Sequence, residues 1–542
     1  MTAIDTHVSA GAAPADADRG WAGIAAWLTT TDHKRIGRMY VAVSLLALVG
    51  VSTVGLLLGL ERADTTSDLV DAGAVAQLFS AYRVGLVFCV VVPLLLGLAI
   101  AVVPLQVGSR SLAFPRLAAS GFWAWLFGAG LTVGTIAANG GPGGGDSRMV
   151  AMFLGAHLVL ILGLLAGAAS VAVTVLTSRA PGMNMRRVPL FAWSALVSAL
   201  GLLVVLPVLA GTLVYVYLDY RYGRAGLGGN KAIIGWIGFA FSQPATFVYA
   251  LPALGVAAEA VAVATRRRLP ARGIAFAGLG LVAVGAFGAA TQHVSGLRID
   301  ILDASFGTAL KDILPYALFN VLPVLGALVV LAVVAFALRA GRPTLIAPLL
   351  FGLTGALLVF AGTLANALFL VGDARLAGTV FEEGAWLSVM YGAVLAALGA
   401  LVYWGPKLWG RTLPGTPLVG LALLGFLGAA LASLPLYVAG FADQPGDAVV
   451  FDYSGPQSLW NVLSTIGHGL VLVTVLGVVG LALRGFTGGE HAGDDPWDGQ
   501  TLEWATSSPA PFANFSEVHT VASPEPLLDL KPQPASTTGS NA

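Results

Sequence analysis

Twelve apolar stretches interrupt this chain, near residues 39–60, 84–106, 120–140, 149–177, 188–217, 232–265, 273–293, 313–338, 343–371, 384–405, 416–440 and 458–483. About 20 apolar residues are needed for a helix to cross the hydrocarbon core of a bilayer, and each stretch meets or approaches that length. The spacing therefore predicts an all-α fold, a polytopic membrane bundle of 12 transmembrane helices. Composition agrees: 57% of residues are hydrophobic and 10% charged, where a soluble domain carries about a quarter charged residues. The 69 glycines and 28 prolines are spread through the apolar segments, where glycine permits close helix contact, so they do not signal disorder. A polar tail over residues 1–38, without the apolar core of a signal peptide, and an irregular polar tail over 486–542 flank a membrane domain over 39–485.

Charge orients the bundle. With the N-terminus inside, the inner connections and tails hold 19 of the 28 cations, among them Lys34, Arg35, Arg110, Arg186, Arg267 and Arg411. The outer side holds 9, including Arg62, Arg83 and Arg375, together with acids such as Glu61, Glu382 and Glu383. Cationic loops stay cytoplasmic, which predicts both termini in the cytoplasm and a cytoplasmic-membrane location. Equal numbers of Lys+Arg and Asp+Glu, 28 each, give no electrostatic case for nucleic acid. A single cysteine, Cys89, excludes a disulfide framework, a Cys-ligated zinc site and a Cys-bridged copper pair within this chain.

Five blocks carry a more specific signal: "WLTTTDHKRIGRMY" (27–40), "VVPLQVGSRSLAFPRL" (102–117), "RAPGMNMRRVPLFAWS" (179–194), "YWGPKLWGR" (403–411) and "DPWDGQTLEWATSSPAPFANF" (495–515). In order and in content they resemble subunit I of the haem-copper oxidases, in particular the bacterial cytochrome c oxidase type. That family has a twelve-helix core, which matches the count reached from hydropathy. The resemblance implies two haems, one copper, electron transfer from a partner subunit to oxygen, and proton pumping.

The histidines do not supply that chemistry. In the family two imidazoles hold the low-spin haem iron, one holds the second haem and three hold copper. This chain has seven histidines; His7, His491 and His519 lie in the tails and His33 is the non-ligand histidine of the "TDHKR" block. Only His157, His293 and His468 fall in apolar segments. Matched block by block, the second-helix haem ligand position holds Tyr82, and the tenth-helix pair falls on Gly384 and Trp386. The family's "GHPEVY" reads "SQPATF", placing Gln243 at a copper position, Ala245 at the buried acid and Phe247 at the tyrosine cross-linked to a copper ligand. The copper region then retains Gln243, Gln292 and His293. The propionate-binding arginines expected after Pro435 are absent from "FADQPGDAVV".

The proton routes are altered too, with Ser111 at the proton-uptake aspartate and a residue near Phe319 at the mid-helix lysine. Glu259, in the sixth helix, is a family-like acid that remains. Ionisable groups at membrane depth are costly and are usually kept for function. Several residues have two readings. His293 with Gln292 and Gln243 could bind copper, against a hydrogen-bonded histidine at a helix end. Tyr82 could ligate iron as a phenolate, against a packed phenol. His157 and His468 read as satisfied packing histidines. Arg83 reads as an interfacial anchor or as the partner of Glu382 or Glu383. The "GGPGGGDS" run (140–147) reads as a turn, since no Lys-Ser/Thr follows as in a phosphate loop. Trp386 and Phe247 are candidates to fill space that haem occupies in the family, because empty volume costs about 24 cal/mol per Å³.

The expectation is a subunit I-like membrane protein without haem or copper, acting as a non-catalytic scaffold or regulatory subunit. Its expected partners are membrane lipid and, in protein terms, subunit II-like or III-like chains or a second copy of itself. Two alternatives stand beside it: a binder or transporter of a hydrophobic ligand, quinone or lipid, in the former haem space; and a cytochrome c oxidase with unconventional ligation.

Overall fold

The computed structural model describes residues 21–63, 69–223, 226–292, 296–297, 306–446, 456–517 and 520–530. Among these lie twelve helices long and apolar enough to cross a membrane. They are α1 (His33–Ala63), α2 (Gly73–Gln106), α3 (Pro115–Ala137), α4 (Ser147–Thr177), α5 (Leu190–Arg221) and α6 (Asn230–Thr265). The second half comprises α7 (Arg272–Ala290), α8 (Ala309–Ala340), α9 (Ala347–Phe369), α10 (Val380–Trp409), α11 (Gly415–Phe441) and α12 (Gln457–Gly488). Each of the twelve expected stretches finds its helix. Two start well before the expected point: α1 at His33, inside the stretch assigned to the N-terminal tail, and α2 at Gly73.

Consecutive helices pack side by side and α12 closes back on α1. The most apolar stretches of α2, α6 and α10 are wholly buried, whereas the other spans keep one face outward. The core is therefore a trio of helices four apart in order, wrapped by the rest. Sequence hydropathy cannot separate these layers, since lipid and protein interior both accept apolar side chains. Glycines set the closest approaches. A Cβ on Gly37 would lie 2.5 Å from the carbonyl oxygen of Gly97, and one on Gly355 would lie 2.5 Å from that of Gly392. These contacts lock α1 to α2 and α9 to α10.

Two inner segments widen by a turn, over Gly85–Val91 in α2 and Ala317–Val321 in α8, each just before a proline (Pro93 and Pro323). Proline lacks the amide donor of a regular helix, and a wide turn takes up the resulting mismatch.

Both described termini lie at the same end of the bundle, here called the tail end. The C-terminal segment has the expected irregular backbone but packs onto the helices. Glu503 is fully buried and accepts hydrogen bonds from Gln106 Nε2 and Trp404 Nε1, both at 3.1 Å. Trp504 Nε1 donates to the Tyr403 hydroxyl at 2.8 Å. Lys34 Nζ donates to Asn514 Oδ1 at 3.0 Å, and His33 Nε2 shares a hydrogen bond of 3.0 Å with the same oxygen. Lys407, also fully buried, donates to the carbonyls of Asp494, Thr506 and Ser507. The polarity that marks this segment as a tail in the sequence is consumed in satisfying the helix ends.

Candidate functional site

The early start of α2 changes the setting of Tyr82 and Arg83. Both lie within the helix and not before it, Tyr82 buried and Arg83 half-buried. Tyr82 is 2% exposed, and its hydroxyl meets the Tyr391 hydroxyl of α10 at 2.8 Å. Tyr391 in turn meets His468 Nδ1 of α12 at 2.7 Å. With the Nε2-protonated tautomer of His468, Tyr391 donates to the imidazole and Tyr82 donates to Tyr391. His468 is thus a satisfied histidine, as the sequence suggests, but it is not alone. Tyr391 had no signal in the sequence beyond being a phenol in an apolar run.

Trp386 stands one turn away. Its ring meets Tyr82 edge-on with centroids 5.9 Å apart, and the Arg83 guanidinium lies 5.3 Å from the indole centroid. Arg83 also lies 5.0 Å from Phe79. Neither expected carboxylate pairs with it: Glu383 is bound by Arg62 at 2.8 Å, and among the described residues Arg83 has no ion pair. Arg83 is half-buried, with its Nε buried and without a hydrogen-bond partner.

Gly384, two residues before Trp386, faces α11. A Cβ there would lie 2.9 Å from the Ser433 carbonyl oxygen and 3.0 Å from Tyr437. The two positions expected to match the family's histidine pair therefore address different helices, and position 384 has no room for a side chain without a shift of α11. The donor set does not suit a planar macrocycle held from both sides. Tyr82 and Trp386 are already in contact where the iron ligands would face each other, an indole N–H offers no lone pair to a metal, and the Tyr82 hydroxyl is engaged by Tyr391.

Next to Trp386 is a cavity of about 200 Å³, between α2, α6, α8, α9 and α10. Gln243 lines it, with both amide atoms buried and unpaired. Trp386 lines it too, and its indole N–H is likewise buried and unpaired. Asn366 Nδ2 donates to Asn320 Oδ1 at 3.1 Å on the opposite side. Phe319, near where the resemblance places the family's mid-helix lysine, lines the same space. Phe247 is buried at 1% exposure but is not on this wall.

The proposed copper cluster is not assembled by the described residues. Gln292 is exposed, with its backbone at a φ of +54°, and donates to Thr212 Oγ1 at 3.4 Å. His293 lies outside the described residues. No group of three or more His, Cys, Asp or Glu side chains placed to hold a metal occurs among the described residues. His157 is fully buried but unsatisfied: both ring nitrogens lack partners, and Phe88, Phe153 and Phe241 surround it at centroid distances of 5.2, 5.6 and 5.9 Å. The packing half of its expectation holds and the hydrogen-bonding half does not.

Glu259 is remote from this cavity. It lies 16 residues beyond Gln243 in α6, a rise of about 24 Å along a helix. At the tail end its Oε1 accepts from the Phe191 amide at 3.2 Å, beside Arg272, Gln500 and Glu525. Glu259 therefore does not line the cavity beside Trp386. Two tail carboxyls belong to the same region. Burial holds Glu503 above the usual carboxylate range, against the opposing hydrogen bonds from Trp404 and Gln106. Burial likewise raises Glu525, while Arg272, 3.7 Å away, pulls it back.

Comparison with known proteins agrees with this architecture. Residues 35–470 match the family described as cytochrome c and quinol oxidase polypeptide I. The cytochrome c oxidase subunit 1 of Bacillus subtilis is 29% identical over 525 residues, covering 92% of this chain and 82% of the relative. A putative cytochrome c oxidase subunit 1-beta of Streptomyces avermitilis is 28% identical, covering 93% of this chain and 92% of the relative. A chain of a heme-copper terminal oxidase dimer superposes with a TM-score of 0.65 over 89% of this chain and 88% of its own, at 13% identity, a likeness of fold. With the family match spanning most of the twelve-helix bundle, this membrane-embedded chain belongs to the haem-copper oxidase subunit I family.

Proposed function

We propose that this chain keeps the subunit I fold without haem–copper redox chemistry, and acts as a non-catalytic scaffold or regulatory subunit of a respiratory-type membrane complex. One observation carries the reading. Where family members place imidazole ligands, this chain has the closed Tyr82–Tyr391–His468 hydrogen-bond chain and the Tyr82–Trp386 ring contact. Phenol, indole and glycine at these positions give no set of neutral imidazoles for iron or copper. The packed tail supports retention of a docking role, because it fixes the tail-end surface where "YWGPKLWGR" and "DPWDGQTLEWATSSPAPFANF" meet. The partners would be subunit II-like or III-like chains or a second copy, in the cytoplasmic membrane with both termini inside.

A reduced-minus-oxidised optical spectrum with metal analysis of the detergent-purified protein tests the redox half. No haem bands and no stoichiometric copper are expected. Haem near one equivalent would restore the reading as an oxidase with unconventional ligation and direct mutagenesis to Tyr82 and His293. Affinity purification tests the scaffold half, and recovery of no oxidase-type partner would count against it.

A second reading, binding of a hydrophobic ligand such as quinone or lipid, is favoured by the cavity beside Trp386. Its volume of about 200 Å³ is smaller than the roughly 300–1,000 Å³ of pockets for drug-sized ligands, so a whole quinone or lipid would need the helices to move. Bulk lipid alone in extracts of the purified protein would argue against this reading.

A further inference from the structure

We propose that the apolar groove between α1 and α12 at the tail end binds one anionic phospholipid, with an acyl chain in the groove and the phosphate on Arg35 and Arg38. The site is separate from the cavity beside Trp386 and does not depend on the scaffold role. The groove arises from how the two helices meet. In the outer half of the bundle they touch: Thr465 Oγ1 donates to the Gly59 carbonyl at 2.7 Å, and a Cβ on Gly55 would lie 3.2 Å from His468 Nδ1. Towards the tail end α12 leans on α11, where a Cβ on Gly477 would lie 2.8 Å from Leu421, while α1 stays against α2 through Gly37. The wedge that opens between them has a volume of about 440 Å³, with Leu401 and Leu408 of α10 as its floor.

Length and polarity point to an acyl chain. Along α1 the wall runs from Arg38 to Val49, 11 residues apart, a rise of about 16 Å. One leaflet's share of the ~30 Å hydrocarbon core is about 15 Å, so the groove reaches from the interface to the midplane. Its rims, Leu46 and Leu483, are 74% and 63% exposed, and at that depth the surrounding medium is hydrocarbon, not water. The mouth is cationic. Arg38 and Arg35 stand over the Trp27 ring, 5.1 and 5.5 Å from its centroid. The short helix that carries Trp27, Trp21–Leu28, is tied to α3 by Trp123 Nε1, which donates to the Leu28 carbonyl at 3.1 Å. Tryptophan beside arginine is the signature of the headgroup level. The neighbouring acid, Asp32, is held by Lys34 Nζ at 2.8 Å, and among the described residues neither Arg35 nor Arg38 has an ion pair. Arg38 donates through Nε to the Lys34 carbonyl at 3.3 Å, which leaves its two terminal amino groups for a phosphate. Two cations beyond the Lys34–Asp32 pair favour an anionic headgroup over a zwitterionic one.

Native mass spectrometry of the full chain, delipidated in detergent and titrated with phosphatidylglycerol or with phosphatidylcholine of the same acyl chains, tests the site. One phosphatidylglycerol should bind more tightly than phosphatidylcholine. Arg35→Gln and Arg38→Gln should each weaken phosphatidylglycerol about fivefold and leave phosphatidylcholine unchanged. Ala482→Phe, which places a ring in the groove, should weaken both lipids. A phosphatidylglycerol with a diazirine near the end of one acyl chain should crosslink chiefly to residues 42–49 of α1 and 479–483 of α12. If the arginine variants fail to give monodisperse protein, Ala482→Phe and the crosslinks decide. Equal affinity of the native chain for the two lipids would overturn the proposal. Crosslinks spread evenly around the twelve helices would show annular lipid only and overturn it equally.

Discussion

At the scale of single residues, the chemistry of this protein turns on which polar groups found partners. Tyr82, Tyr391 and His468 satisfy one another, whereas His157 and Gln243 do not. Trp386 joins both classes, since its ring is packed against Tyr82 and its N–H is left open. Trp386→Ala should therefore destabilise the protein by about 3–5 kcal/mol through the enlarged cavity, whereas Trp386→Phe should cost less than about 1.5 kcal/mol. Thermal unfolding of the purified variants measures both, and equal losses would show that the indole ring fills no space of consequence. Glu503 gives a pH prediction. Burial raises its folded-state value above the ~4.3 of an unfolded chain, so the folded protein keeps that proton to higher pH. Its titration costs nothing well below about pH 4, and the penalty grows as pH climbs from there towards the raised value. Glu503→Gln keeps an acceptor for Trp404 and Gln106 and removes the titration. The melting temperature of this variant relative to wild type should rise between pH 4 and neutrality, and a gap that stays flat or narrows would contradict the burial argument.

Among the helices, the sequence announced the elements and misjudged some of their ends. Hydropathy located all twelve spans, because the bilayer imposes one length and one polarity on each. It placed the start of the second span near 84, since Gln77, Ser80, Tyr82 and Arg83 read as polar flank. The helix in fact continues back to Gly73, with Asp71 accepting from the Gly73 amide at 3.1 Å. Of these four, Gln77 and Tyr82 are buried in the bundle interior, which a one-dimensional profile does not distinguish from the membrane surface. Pairing of neighbours depends on glycines that look alike in sequence. A Cβ on Gly392 would lie 2.6 Å from the Gly355 carbonyl oxygen and 2.8 Å from the Val359 amide. Gly392→Val should force α9 from α10 at a cost of about 1–3 kcal/mol, seen as a lower melting temperature. A Gly143→Val control, at a position with open space around its Cβ but a φ of +78°, probes backbone strain alone. Unaltered melting of Gly392→Val would show that the two helices are not in the contact described.

For the whole molecule, orientation and assembly follow from the loops and tails. The cation bias predicts that the end carrying both described termini is cytoplasmic. In a background with Cys89 replaced by Ala, Gly143→Cys and Gly493→Cys place single thiols at exposed sites on opposite ends. A membrane-impermeant maleimide added to intact cells should label the first and spare the second, and the reverse pattern would invert the topology. The sequence by itself determined the class of the fold, the number of spans, the bias of charge and the family blocks, because each depends on residue type along a line. The resemblance further led us to expect Tyr82, Gly384, Trp386 and Gln243 at the family's ligand positions. What became of those positions was decided only in three dimensions. Tyr82 found Tyr391, Gly384 turned to α11, Glu259 stayed at the far end of α6 from Gln243, and Arg62 took the carboxylate that Arg83 lacks. Hydrogen bonds and ion pairs depend on which helices face one another across hundreds of residues, and an apolar helix in a membrane protein carries no local mark of its facing neighbour.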